Sequence, residues 1–502
     1  MRPRVFLETF GCQMNVLDSQ LVLGQLRTHG CELTDQRDSA DAVVYNTCSV
    51  REHAEQKVWS RLGELRAIKR RRPGMVIAVI GCMAQREGTR FFRKYPHIDI
   101  LCGPAQLDQF PAMLHSALTA RLAGGALPIR HPQSATPSRQ VALMGPDVRR
   151  PSTLGAAEDR LEMLDLSRSI SPADDAHQAY VRITRGCDKF CSYCVVPYTR
   201  GPEVHRPPDH IIDEARRLAD AGAMEVTLLG QTVNHYAYAH GDGRVTTFAQ
   251  LLWQVHEAVP HLARLRFVTS FPRDFGDDAL AAMRDCRRIC RYLHVPAQSG
   301  SDRILKLMNR GYTVGQYLDL IDRARAMMAD ICIASDFIVG FPGETDEEHQ
   351  RSLDLIRRCR FKNSFIFKYS PRPGTAAGKR LADDVPDEVK RARNNEMLAV
   401  QGEVSLANAR AMIGQTVQVL VEGHSKLVER PADNGDGLVQ LRISPAPGAA
   451  PAHPPAPGPQ LVGRTRGDHV VVFDGDPSLK GRLVDVKIVD AQAMTLFAQV
   501  AL

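Results

Sequence analysis

The sequence predicts an α/β chain in three parts. These are an amino-terminal parallel α/β sheet domain, a partial (β/α)6 barrel of the TIM type, and a small carboxyl-terminal β-barrel. Three observations lead there. Short apolar runs alternate with amphipathic stretches through residues 1–118 and again through 173–402. That alternation implies strand–helix–strand units and a parallel sheet. Between the two blocks, 119–172 loses the rhythm, and from 405 to 498 short β segments are parted by Gly turns. At 502 residues the chain is also too long for a single core.

The elements follow in order. "RVFLETFGC" reads as a strand, and "LDSQLVLGQLRTHG" as a helix capped by Asp18 or Ser19 and stopped at Gly30. "ADAVVYNTC" is the next strand. A long helix follows with Ala54, Val58, Leu62 and Leu65 on one face. "GMVIAVIGC" and "HIDILCG" are further strands. Residues 119–172 are rich in Pro, Gly, Ala, Ser and Arg and read as a linker or long excursion, with order in it left open. Six strands are then expected in "AYVRITRG", "EVTLLGQ", "RLRFVTS", "RYLHVPAQ", "ICIASDFIVGF" and "NSFIFKYS". Thr345 and Glu348 open one intervening helix as a capping box. In the last part, "GQTVQVLVEG", "LVGRTRGDHVVVFDGD" and "GRLVDVKIV" are β segments, interrupted by a Pro-rich insertion near 444–460.

Lys plus Arg exceed Asp plus Glu by 64 to 57, an excess that permits a polyanionic partner without requiring one. No run approaches the roughly 18 apolar residues of a membrane span, and "MRPRVFLETFGC" lacks a secretory core. A cytoplasmic, monomeric protein is expected. In that reducing setting twelve cysteines argue for metal or redox use where they cluster, not for disulfides.

Cys187, Cys191 and Cys194 form C-x3-C-x2-C directly after the strand "AYVRITRG". A structural zinc site takes four ligands. Three thiolates in one loop can instead hold three irons of a 4Fe–4S cube and leave the fourth open. Cys286 and Cys290 read as small core residues. Cys12, Cys48 and Cys82 share no local motif, but each follows a predicted strand, so a parallel sheet would place them along one edge. Cys102 also ends an apolar run, and the pattern alone leaves open whether it joins them.

The C-x3-C-x2-C loop resembles that of the radical S-adenosylmethionine (SAM) superfamily. "ETFGCQMNVLDSQ", "ADAVVYNTCSVREHAEQKV" and "VIGCMAQR" resemble its methylthiotransferase family. "VVPYTRGPE", "VPAQSGSDRILKLMNRGYT", "SDFIVGFPGET" and "KYSPRPGTAA" extend the likeness over nearly the whole chain, and the last domain resembles a TRAM domain.

The resemblance implies two 4Fe–4S clusters, one on Cys187, Cys191 and Cys194 that cleaves SAM, and an auxiliary one on Cys12, Cys48 and Cys82. It leaves Cys31 and Cys102 as ordinary thiols and makes Tyr193 a contact to the adenine of SAM. Further SAM contacts are expected at the strand ends: Gly230, Gln231, Ser270, Gln298 and Gly340. One SAM would supply methyl and another a 5′-deoxyadenosyl radical, with an electron donor outside the chain.

"TFGCQMN" and "NTCSVREHAEQKV" most resemble the branch that methylthiolates carbon 2 of N(6)-isopentenyladenosine in the tRNA anticodon stem-loop. Sister branches act on threonylcarbamoyl-adenosine in tRNA or on a ribosomal-protein aspartate. A zinc-dependent RNA-binding protein is the non-enzymatic alternative. Lys426, Arg464, Arg466 and Lys480 are expected to meet RNA phosphates, whereas "IKRRRPG" reads as a solvated helix end. "GTAAGKR" lacks the spacing and final hydroxyl of a P-loop and is rejected as one.

Overall fold

The structure, a computed structural model, describes residues 2–50, 52–122, 139–144, 161–168, 170, 177–425 and 459–501. The amino-terminal sheet is parallel throughout. Its order is Glu32–Leu33, Arg4–Thr9, Ala42–Thr47, Val76–Gly81, Ile100–Cys102 and Gln140–Ala142. Ala42–Thr47 and Val76–Gly81 are wholly buried because helices cover both faces. Leu17, Leu21, Phe110 and Leu114 pack on one face, and Val58, Leu62, Leu65 and Phe91 on the other.

Two expectations change here. Asp18 and Ser19 do not cap a helix. The helix is Gln13–Thr28 with Cys12 at its N-cap, and both side chains are buried inside it. Nor is 119–172 only a linker. Gln140–Ala142 adds the sixth strand, and the helical residues 161–166 deliver Glu162 and Asp165 to the interior. Residues 123–138, 145–160, 169 and 171–172 of that segment lie outside the described residues, as do 444–458 of the Pro-rich insertion and Lys426.

All six expected strands of the second part form: Gln178–Arg182, Glu225–Leu229, Arg264–Phe267, Tyr292–His294, Cys332–Val339 and Asn363–Lys368. They run parallel in chain order as two three-stranded sheets, joined by a bridge between Leu265 and Ile289. This arc is the partial barrel. The helix Asp387–Arg410 runs unbroken past residue 402, and the chain turns into the last domain only beyond it.

That domain is a closed barrel of five strands: Thr416–His424, Gln460–Thr465, Val470–Asp474, Thr495–Val500 and Leu483–Ala491. Asp468, at φ +65°, turns the chain between two of them, and Thr495–Val500 is a strand the sequence reading missed.

The barrel docks on the amino ends of the core strands. Arg264 donates to the carbonyls of Arg464 at 2.7 Å and Gln418 at 2.9 Å. Lys362 pairs with Asp468 at 3.2 Å, and Gln178 donates to Glu422 at 3.3 Å. Arg466 donates back to the carbonyl of Ile289 at 2.8 Å, and Arg464 is held by Glu422 and Asp468. Of the expected phosphate contacts, Arg466 thus spends its side chain on the joint, and the Arg464 side chain pairs within its own barrel. A cavity of about 970 Å³, lined by Arg291, Arg325, Arg360, Lys362 and Arg466 among others, opens at the same joint. In "IKRRRPG", Lys69 pairs with Asp99 at 2.6 Å and is not solvated.

The first two domains meet across buried charge. Arg182 of the first core strand donates to Asp18 at 3.1 Å and to Asp165 at 2.7 Å. Arg206 pairs with Glu162 and with Glu214, each at 2.8 Å. Removing one partner leaves the other charge buried and uncompensated. Arg182→Ala should therefore cost ~3–5 kcal/mol in denaturant unfolding, far beyond a surface pair.

Burial pushes the Asp165 carboxyl up, but Arg182 and Arg206 outweigh it and hold the carboxyl below its ordinary value. A depressed folded value means the contribution is complete above the unfolded value of about 3.9 and is lost as pH falls through the folded one. The stability gap between wild type and Asp165→Asn should be widest near neutrality and close below about pH 4. Unfolding midpoints measured across that range check this.

Candidate metal centres

Cys12, Cys48 and Cys82 follow three adjacent strands of the parallel sheet, Arg4–Thr9, Ala42–Thr47 and Val76–Gly81. Parallel strands present their carboxyl ends on one edge, so residues 36 and 34 apart in sequence converge there. Two asparagines lace the loops together. Asn15 donates to the carbonyls of Phe10 and Thr47, both at 2.9 Å, and Asn46 donates to the carbonyl of Asn15 at 2.9 Å. Gly11, at φ +115°, passes so close to Cys48 that a β-carbon would lie 2.3 Å from the Cys48 Cβ. Only glycine fits there.

The hydrogen bond to Cys48 lowers the Cys12 thiol to about 6 against the opposing effect of burial, and Arg200 adds to it. Cys48, the other member of that pair, is pushed up, and burial raises Cys82. Cys102 ends the next strand but differs in kind. It is fully buried, its Sγ points to the carbonyls of Gly103 and Gln106, and burial pushes its thiol up with no cysteine nearby contributing. Cys31 is likewise a buried thiol in the apolar core.

The second triad sits at the carboxyl end of the first core strand. Its loop is fixed from several sides. The N–H of Cys187 donates to Gly201 at 3.2 Å, that of Ser192 to Met308 at 2.9 Å, and that of Cys194 to Cys191 at 3.0 Å. Asn309 donates to the carbonyl of Phe190 at 2.9 Å, which holds Phe190 at φ +48°. Three polar contacts serve the sulfurs. Arg310 Nη1 lies 3.3 Å from Cys191 Sγ, Thr232 Oγ1 3.5 Å from Cys187 Sγ, and the N–H of Val196 3.5 Å from Cys194 Sγ. Burial lifts the Cys194 thiol to about 12, with Cys191 adding to it. Among the described residues, neither triad gathers three ligand atoms within 4.8 Å of one another, the spacing a single ion needs. A cubane places its thiolates on different irons and so spreads them wider.

Arg200 connects the two triads. It lies six positions after Cys194 and donates to Asn15 at 2.9 Å and to Asp18 at 2.8 Å, both three to six positions after Cys12. Arg372 makes a second link, pairing at 2.8 Å with Glu55 behind the Cys48 loop. Neither Arg200 nor Arg310 is among the site residues expected from sequence, although both lie in stretches that carry the family resemblance. Arg200 carries a local signal, six positions after Cys194, whereas Arg310 reaches Cys191 from 119 positions away and carries none.

The expected SAM contacts are all on the same edge of the core, with different surroundings. Tyr193 is half-buried, its ring 6.4 Å from that of Phe341 in edge contact. Ser270 Oγ is buried without a hydrogen-bond partner, as is Thr184 Oγ1 beside Gly230, a residue not expected from sequence. Gln298 is buried at φ +70°, its backbone bonded to Asp336 and Ile338. Gln231 is half-buried. The two glycines make room for the protein itself. A β-carbon on Gly230 would meet Thr184 Oγ1 at 2.2 Å, and one on Gly340, at φ +67°, would meet the Lys390 stem at 2.3 Å. Cys286 and Cys290 are buried in the core as expected, although Cys286 ends its helix and the pair does not share one.

Comparison with known proteins agrees with this layout. Family models described as "Uncharacterized protein family UPF0004", "Radical SAM superfamily" and "TRAM domain" match residues 4–103, 181–356 and 456–501. The tRNA-2-methylthio-N(6)-dimethylallyladenosine synthase of Rhodopirellula baltica is 44% identical over 501 residues, covering 100% of this chain and 96% of that protein. The protein of the same name from Syntrophotalea carbinolica is 39% identical, covering 96% of each. Among solved structures, the radical S-adenosylmethionine methyltransferase TsrM from Kitasatospora setae superposes with a TM-score of 0.52 at 15% identity, covering 75% of each chain, and so shares the fold. With full-length identity at this level, the chain belongs to the tRNA-2-methylthio-N(6)-dimethylallyladenosine synthase family of radical SAM proteins.

Proposed function

We propose that this chain methylthiolates carbon 2 of N(6)-dimethylallyladenosine in tRNA. The observation that carries the reading is the pair of three-cysteine edges set face to face across one joint by Arg200 and Asp18. Full-length identity to the synthases named above supports the substrate.

The donor chemistry fits two iron–sulfur clusters. Each triad is all thiolate, each comes from loops fixed by backbone bonds, and each leaves a cube one ligand short. Cys187, Cys191 and Cys194 would hold the cluster that engages SAM, and Cys12, Cys48 and Cys82 the auxiliary one. When bound and supplied with an electron from outside the chain, these groups provide the radical and sulfur-transfer chemistry that no side chain offers.

The chain's own residues do the rest. Arg310 places a cation on Cys191, and Arg200 places one beside Cys12 and Cys82, offsetting the charge that gathered thiolates carry. Thr232 donates or accepts at Cys187. The unpartnered hydroxyls of Ser270 and Thr184 are suited to a polar ligand at the strand ends, since a buried hydroxyl without a partner is costly. Tyr193 packs its ring edge-on against Phe341 near the end of another core strand.

Cys12→Ala, Cys48→Ala or Cys82→Ala should lower iron from about eight to about four per chain, and so should Cys187→Ala, with methylthio product lost in either case. Iron and sulfide assays with nucleoside analysis test this. Equal iron in wild type and both variant classes would contradict it. Gly11→Ala should mimic the Cys48 variant without touching a sulfur, because its β-carbon displaces Cys48. In cells lacking the gene, mass spectrometry of tRNA nucleosides should show dimethylallyladenosine without its methylthio group. Unchanged tRNA would refute the substrate assignment.

A further inference from the structure

Beside the second triad lies a group of side chains that the reaction above does not use. Glu203 and His205 are two apart on the short strand Val204–His205 and its lead-in, so they share a face. His235 closes the 3-10 turn Val233–His235. One ligand atom from each of the three lies within 4.8 Å of the others.

The hydrogen bonding leaves a gap with acceptors on both sides. His205 Nδ1 lies 2.8 Å from the carbonyl of Ala237, the shorter of its two contacts there. A ring N–H donating to that carbonyl leaves Nε2 as a bare lone pair, the arrangement found behind metal-bound histidines. Nε2 faces Glu203 Oε1 at 3.6 Å, too long for a hydrogen bond. Both atoms are buried without a partner, and the Glu203 side chain is only 3% exposed. His235 Nδ1 lies 2.7 Å from Glu203 Oε2, and its ring, 44% exposed, borders solvent. Asp188 adds negative charge near His205.

We propose that Glu203, His205 and His235 form a site for a divalent first-row transition ion. Two imidazoles and one carboxylate with a solvent-facing fourth position match open zinc sites, and the same set suits ferrous iron. The ion would fasten two loops that cradle Cys187. The N–H of Cys187 bonds to Gly201, two residues before Glu203, and its Sγ meets Thr232, three residues before His235. This site is separate from the cysteine chemistry and does not depend on the assigned substrate.

The test uses anaerobic protein with its iron–sulfur clusters loaded, equilibrated with Zn²⁺ and passed over a chelating resin. About one zinc per chain should remain in wild type, with only nitrogen and oxygen near 2.0–2.1 Å in its X-ray absorption spectrum. His235→Ala and Glu203→Gln should each lose that zinc while iron content is unchanged. Zinc absent from wild type, retained equally by His235→Ala, or bound to sulfur near 2.3 Å overturns the site.

Discussion

One carboxylate governs how the two cysteine edges face each other. Asp18 is wholly buried in the first helix, and it accepts from Arg182 and Arg200 of the neighbouring domain at once. Burying a single carboxylate between hydrocarbon walls is prohibitive, so the two arginines must be in place for the joint to close. Their placement is itself over-determined. Arg182 stands on a core strand and also grips Asp165, while Arg200 follows the helix that leaves Cys194. The relative position of the triads therefore follows from satisfying one charge.

The same logic runs outward. Helical residues 161–166, from a stretch that composition marks as loose, supply Glu162 and Asp165 to Arg206 and Arg182. The piece is held by both kinds of contact, since Leu161 and Leu164 pack into the amino-terminal core while Glu162 and Asp165 pair with the arginines. Such networks are weak evidence for stability relative to an apolar core, yet they fix geometry well because each donor has only one satisfactory arrangement. Fixed geometry also holds the two cysteine triads in one relation to each other.

Much of this was legible in the sequence, and the divide is physical. The six core strands are continuous apolar runs separated by amphipathic helices, so each can be read locally. The cysteines were legible because thiolates are rare and their place after strands is a local fact. Asp18 was misread as a helix cap because its partners lie 164 and 182 positions away, and no window contains them. Composition gives Arg464 and Arg466 a charge without saying which way it points: the Arg466 side chain turns to the core, and that of Arg464 pairs with Glu422 and Asp468 of its own barrel. Gln140–Ala142 was missed since three residues carry no period of their own.

The last barrel sits against the amino ends of the core strands, whereas both cysteine triads occupy carboxyl ends. The longest core strand, Cys332–Val339, has eight residues and spans roughly 26 Å. A free nucleoside is far shorter than that. A single molecule that touched the barrel and also presented an atom to the cysteine edges would have to span at least that length, which a polymer does and a lone nucleoside does not.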